Sequence, residues 1–280
     1  MLVLALATAF SASFGLVMRY ALARNRNLWA VGALNYGTAA LFHLLRHALG
    51  GGHAPSQSTW VVGLLGGMAY VTAYLLYFPL MAMRGVSVST AIVRLSALIP
   101  AVVSVVVWGE QPSTQQVLGA LLALASLPLL SFSPGIRGER LPGRATALLM
   151  ALFFANGLCL LAVRGYSQTG VAGEESWFLA ILFGMAAVIA TGAYALHGER
   201  ASWGDLLPGM GLGLCNALGN LLLVMALGQL PGFLVFPFQA AVGLALSAVV
   251  ARLVWGERIS RLETAGMAVA VVAVVFMNVR

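Results

Sequence analysis

No lysine occurs in this chain, and acids are scarce: all fifteen basic residues are arginine, against eight aspartates and glutamates. Charged residues make up 8% of the 280 while hydrophobic ones make up 61%, and mean hydropathy is +0.95. A water-soluble domain of this length could not bury so much apolar surface, so the shortage of charge excludes a soluble protein and leaves a polytopic membrane protein. The net charge of +7 does not mark a nucleic-acid binder, because nearly all the arginines fall at the ends of apolar runs, where guanidinium groups meet lipid phosphates.

Other absences narrow the chemistry. Only two cysteines are present, Cys159 and Cys215, in apolar stretches and without Cys-x-x-Cys or His-Cys spacing; they read as small packing residues. P-loop, Gly-x-Ser-x-Gly and His-Glu-x-x-His motifs are missing, so no nucleotide, acyl-transfer or metalloprotease chemistry is indicated and no cofactor is expected. His43 and His47 have metal-like spacing but no acidic or thiol ligand nearby. A zinc site takes three or four ligands, so the two read as a solvated pair near a helix end and no metal is expected. The first apolar stretch lacks a charged region before it and a small-residue cleavage site, which makes it a span and not a removed signal.

What the chain does have is apolar segments long enough to cross a bilayer, for which about 20 residues suffice. Turn-formers and arginine clusters divide it into ten, near 2–20, 28–49, 60–83, 86–108, 112–132, 145–164, 177–196, 206–227, 231–255 and 262–279. The short Arg84-Gly85 link makes the third and fourth an antiparallel hairpin. Trp108-Gly109-Glu110 recurs 147 residues later as Trp255-Gly256-Glu257, and Gly119 is echoed by Gly266. The first span of each half ends on arginine after a polar, small face, Ser11 to Arg19 and Asn156 to Arg164. The expected fold is therefore all-α and integral to the membrane: ten transmembrane helices as two five-helix repeats, 1–134 and 145–280, joined by a basic linker, 135–144. An odd number of spans per half inverts the second copy, the design of alternating-access carriers with a central cavity.

The two Trp-Gly-Glu ends, the glycine nine or ten residues on, the Arg-ended first span and the ten-span count resemble the drug/metabolite transporter superfamily, EamA-like branch, over essentially the whole chain. The resemblance implies that spans one to four of each half line a central cavity and that spans five and ten lie at the periphery. Members move amino acids, sugar phosphates, nucleotide sugars, choline and drug-like cations, so it leaves the cargo open.

Arg94 is the first site candidate. A guanidinium near the middle of a span costs roughly 2.5 to 3.5 kcal/mol by insertion scales unless it faces a wet cavity or a partner. The competing reading pairs it with Glu110, Glu257 or the carbonyls of a broken helix. Further candidates are Ser11, on a stripe with Thr8, Gly15 and Arg19; Tyr70 and Tyr74, on a face continuing Gly63 and Gly67; Asn35 beside Tyr36; Asn156; Asn216 and Asn220, four apart; and Gln239, just after Pro237. Any one of these polar groups also serves as a helix-to-helix hydrogen bond, worth roughly 0.6 kcal/mol on average. Gly63-x-x-x-Gly67 reads as a helix-packing motif, and Pro100 and Pro237 as bend points. All eight acids fall at span ends or in loops, which removes the usual mid-membrane proton relay and cation counter-ion. That favours a neutral, zwitterionic or anionic cargo whose negative group meets Arg94 bidentately.

The expected function is a secondary carrier of a small polar metabolite in the cell inner (plasma) membrane. Its partners are the lipid bilayer and a small-molecule substrate, without nucleic acid, and the choice between monomer and dimer stays open. The alternative is a non-transporting protein of the same fold, a lipid-handling enzyme or a scaffold. Apart from Arg94, eleven arginines fall on one side of the ten spans and three on the other, which places the eleven-arginine side in the cytoplasm and both termini outside. Cysteines introduced at Arg137 and at Ser56 test this orientation: an impermeant thiol reagent on intact cells should label position 56 and spare position 137.

Overall fold

The computed structural model describes residues 1–50, 54–131, 143–197, 200–255 and 260–278, and these are all-helical, with no strand among them. The elements are α1 (Leu2–Ala23), α2 (Leu28–Gly50), α3 (Gln57–Leu95), α4 (Leu98–Val106), α5 (Thr114–Ser131), α6 (Gly143–Thr169), α7 (Glu175–His197), α8 (Trp203–Leu227), α9 (Gly232–Trp255) and α10 (Arg261–Asn278). Gly256, Glu257, Arg258, most of the 135–144 linker with Arg137 and Arg140, Gly51, Gly52 and Arg280 lie outside the described residues, as do the side chains of Arg84 and Ser87. Among the described residues eight helical stretches are long and apolar enough to cross a membrane, and Thr114–Leu129 is a shorter apolar helix. The chain is a multi-pass membrane protein.

Helical backbone runs unbroken through the Arg84-Gly85 link where a separate loop was expected. The reversal itself is present. Tyr77 and Thr90 hydroxyls are 2.9 Å apart, whereas a straight helix would separate residues thirteen apart by about 20 Å. The chain therefore turns back between them, and Gln57–Met81 and Ser89–Val106 are distinct candidate spans.

The chain forms two compact units, each drawn from both halves of the sequence: Met1–Leu75 with Leu158–Gly228, and Leu76–Gly157 with Gln229–Arg280. In the first, α2 packs on α7 and α8, and α1 on α8. Helices α2 and α7 are antiparallel, because Trp29 at the start of α2 stacks on His197 at the end of α7 (ring centroids 3.6 Å apart) while His47 meets Trp177 at 4.3 Å. Helix α3 closes on α7 through its Gly-x-x-x-Gly: a β-carbon at Gly63 would lie 2.9 Å from Ile181 and one at Gly67 2.7 Å from Cβ of Met185. In the second unit α5 packs on α10 and α9, and α4 on α9. Gly119 allows the α5–α10 approach, since a β-carbon there would lie 2.9 Å from the backbone nitrogen of Met277.

Helix starts leave up to four N–H groups without partners, and here acids and hydroxyls take them up. Ser113 and Gln116 exchange backbone and side-chain hydrogen bonds at the start of α5 (3.0 and 3.3 Å), and Ser260 and Glu263 do the same at the start of α10 (2.6 and 3.1 Å). Ser202 and Asp205 cap α8, with Asp205 also accepting from the backbone of Asn27. Other caps come from afar. Glu174, 8% exposed, accepts from Ser56 and Thr59 at the start of α3, and Glu110 accepts from the backbone N–H of Gly232 (2.7 Å) and Phe233 (2.9 Å) at the start of α9. The described acids lie at helix ends as expected, and Glu110, Glu174, Asp205 and Glu263 act there as capping groups and not merely solvated loop charges.

Glu110→Ala removes both α9 caps and should lower stability by about 1–3 kcal/mol, read as a fall in the melting temperature of the purified protein. Unchanged melting would show that water takes over both N–H groups.

Candidate substrate site

Proline shapes the surroundings of Arg94. Pro100 has no N–H and its ring crowds the carbonyl four residues back, so α3 ends at Leu95, Ser96 and Ala97 form a turn, and α4 starts at Leu98. Around the break the backbone tightens, with Ala97 N–H bonded to the Arg94 carbonyl (3.2 Å) and Ile99 N–H to that of Ser96 (3.0 Å). The Val93 carbonyl accepts instead from the Ser96 hydroxyl (2.7 Å) and from Nδ2 of Asn156 on α6 (3.1 Å), and that Nδ2 also donates to Ser96 Oγ at 2.6 Å. A break at membrane depth needs such replacement partners, since lipid offers none.

Arg94 is half-buried in the last turn of α3, where the negative end of the helix dipole favours a cation. Its guanidinium lies against α9: a β-carbon at Gly243 would sit 2.9 Å from Nη1 and 3.1 Å from Cζ. Gln239, 7% exposed, is one turn before Gly243 and shares its face of α9. Thr90, one turn before Arg94, holds the Tyr77 hydroxyl. Arg94, Asn156 and Gln239 thus come together in the second unit. The sequence reading missed Gly243, Ser96 and Tyr77 as companions; glycine at i+4 from a buried Gln was the available signal for the first.

The remaining candidates belong to the first unit. Asn216 Nδ2 donates to Asn35 Oδ1 (2.9 Å), Asn220 Nδ2 to the Asn216 carbonyl (3.0 Å), the Tyr70 hydroxyl to Asn220 Oδ1, and the Tyr36 hydroxyl to the Tyr70 carbonyl (2.8 Å). Tyr74, 5% exposed, donates to the Leu28 carbonyl at 2.8 Å. Ser11 is half-buried on α1 beside Gly219 of α8, which carries Asn220 next in sequence. These groups tie α2, α3 and α8 together through each other. Residues expected to gather around Arg94 therefore fall into two groups, one in each unit.

The histidine pair is corrected. His43 is 0% exposed, its ring stacked on Phe183, and only His47 lies toward the helix end, against Trp177. A spacing of four left both on one helical face, but α7 covers that face at His43. Neither cysteine is in a disulfide; Cys159 is buried and Cys215 half-buried. Among the described residues no group of three His, Cys, Asp or Glu side chains is placed to hold a metal.

Gly243→Val would push the guanidinium off α9. The expected outcome is loss of any Arg94-dependent ligand stabilisation with the melting temperature of the ligand-free protein nearly kept, because the displaced atoms are the end of a flexible side chain. Ligand stabilisation equal to that of the parent chain would remove Gly243 from the site.

No curated protein matches the chain. A solved crystal structure superposes on 99% of this chain and 95% of its own length with a TM-score of 0.81 at 16% identity, a likeness of fold alone. Residues 1–132 match the EamA-like transporter family, whose members carry small solutes across membranes. Over those residues, just under half of its length, the chain is similar to the EamA-like transporter family.

Proposed function

We propose that the protein is a secondary carrier of a small zwitterionic or anionic metabolite, such as an amino acid or a related compound, and that Arg94 receives the negative group. One observation carries this reading: a guanidinium is held at a break in a membrane helix, on the bare backbone of Gly243. Discontinuous helices in carriers place their ends at the substrate site, and the planar guanidinium fork matches carboxylate or phosphate. Gln239, Thr90 and Asn156 supply uncharged hydrogen-bonding groups beside it.

Inverted five-helix repeats, 1–134 and 145–280, are part of the proposal. The offset that carries Trp108 to Trp255 also carries Gly85 to Gly232, Ser113 to Ser260, Gln116 to Glu263 and Gly119 to Gly266. It therefore maps one capping box onto the other. The packed pairs α2 with α7, α4 with α9 and α5 with α10 each join a helix to its own counterpart, an arrangement that a two-fold axis relating the halves allows. Such a design supports alternating access about a site near the midplane of the inner membrane, without ATP.

Thermal-shift screening of purified protein against free amino acids and phosphorylated metabolites, followed by flux into liposomes, tests the reading. Arg94→Lys keeps the charge and loses the fork, so ligand stabilisation should weaken; Arg94→Gln should weaken it further, by about 2–5 kcal/mol for a desolvated pair. Affinity untouched in Arg94→Gln would make the residue structural.

A further inference from the structure

We propose that His43 is a proton-binding site, separate from Arg94, through which this protein couples its conformation to pH. The ring is carried by α2 and is 0% exposed; neither of its nitrogens makes a hydrogen bond of ordinary geometry among the described residues, and the polar group facing it is the backbone of Ala217. Phe183 of α7 stacks on it at 5.9 Å with 11° between the planes, and Phe42 meets it edge-on at 5.2 Å. The surrounding groups are few. Helix α8 brings the backbone of Ala217, and the charged neighbour is Arg46, one turn on along α2, which donates to Ser176 of α7 at 2.8 Å. Phe183 also contacts Tyr70 of α3 and Tyr36 of α2, beside Cys159 of α6. The acids of α7 and α8, Glu175 and Asp205, lie in the first turns of their helices, with Asp205 bound to Ser202 and Asn27.

A buried polar atom without a well-formed hydrogen bond destabilises the state that contains it; the Ala217 backbone serves at most one nitrogen of His43, which leaves the other without one among the described residues. The described state therefore strains this residue, and any state that brings water or an acceptor to the ring relieves it. Only such a state can also accommodate the imidazolium, in which both nitrogens become donors. Proton binding consequently favours the second state over the first, which is a linkage between proton and conformation, and histidine is the side chain that titrates in the physiological range. The described acids occupy helix ends and loops, so within the described spans His43 takes the role a buried carboxylate would otherwise fill. A merely packed aromatic position would have no use for ring nitrogens.

The test needs no cargo, so it stands apart from the transport reading. The chain has four histidines; replacing His47, His53 and His197 with Gln leaves His43 alone. With ring-carbon-labelled histidine in lipid nanodiscs, its NMR resonance is followed from about pH 4.5 to 8.5, and hydrogen exchange of α2 and α7 is read in the same samples. The resonance should move with pH, exchange in both helices should rise on acidification with the same midpoint, and His43→Gln should lose that rise. A resonance that stays fixed, or exchange that follows pH equally in His43→Gln, overturns the proposal. Because the single-histidine chain keeps His43, the resonance and its shared midpoint decide the matter even where His43→Gln does not fold.

Discussion

Backbone groups in lipid have no water to turn to, and helices there gain little from apolar contact because lipid tails are as apolar as leucine. This constraint organises the whole structure. Helix association depends on close approach at small residues and on polar groups that find partners inside the protein. Gly63 and Gly67 bring α3 onto α7, and Gly119 brings α5 onto α10. The scarce acids go to helix starts, where Glu110, Glu174, Asp205 and Glu263 each accept backbone or hydroxyl hydrogens. A charge that would be costly at mid-membrane is favourable at the positive end of a helix dipole.

The break between α3 and α4 shows the same rule under strain. Pro100 costs the helix a hydrogen bond, and Ser96 with Asn156 offset the loss at the Val93 carbonyl. The turn so formed gives α3 a C-terminus at membrane depth, and the dipole of that end helps to hold Arg94. Proline, asparagine and arginine are each unfavourable in a lipid-facing helix. Together at one break, each answers a need created by another.

In the first unit the polar side chains satisfy one another, and the tyrosines and asparagines that look like a cargo surface in sequence act in this state as ties between α2, α3 and α8. Among the described residues, Asn35 Nδ2 and the His43 ring are among the groups of that unit without a well-formed hydrogen bond. Buried polar groups are high-stakes elements, so the leftover atoms matter more than the satisfied ones.

By itself the sequence determined the class. Hydrophobic runs of membrane length, arginine at their ends and turn-formers between them are local signals, and they determined the membrane-spanning character and most helix boundaries. Helix starts after Pro112 and Pro231 were legible for the same reason, since proline's effect is confined to its own turn. Tertiary structure alone decided which helix face meets which. Gly243 under Arg94, α7 over His43 and the division of the candidate residues between two units depend on residues about 140 to 180 apart in the chain, and helical periodicity says which side chains share a face but not what that face packs against.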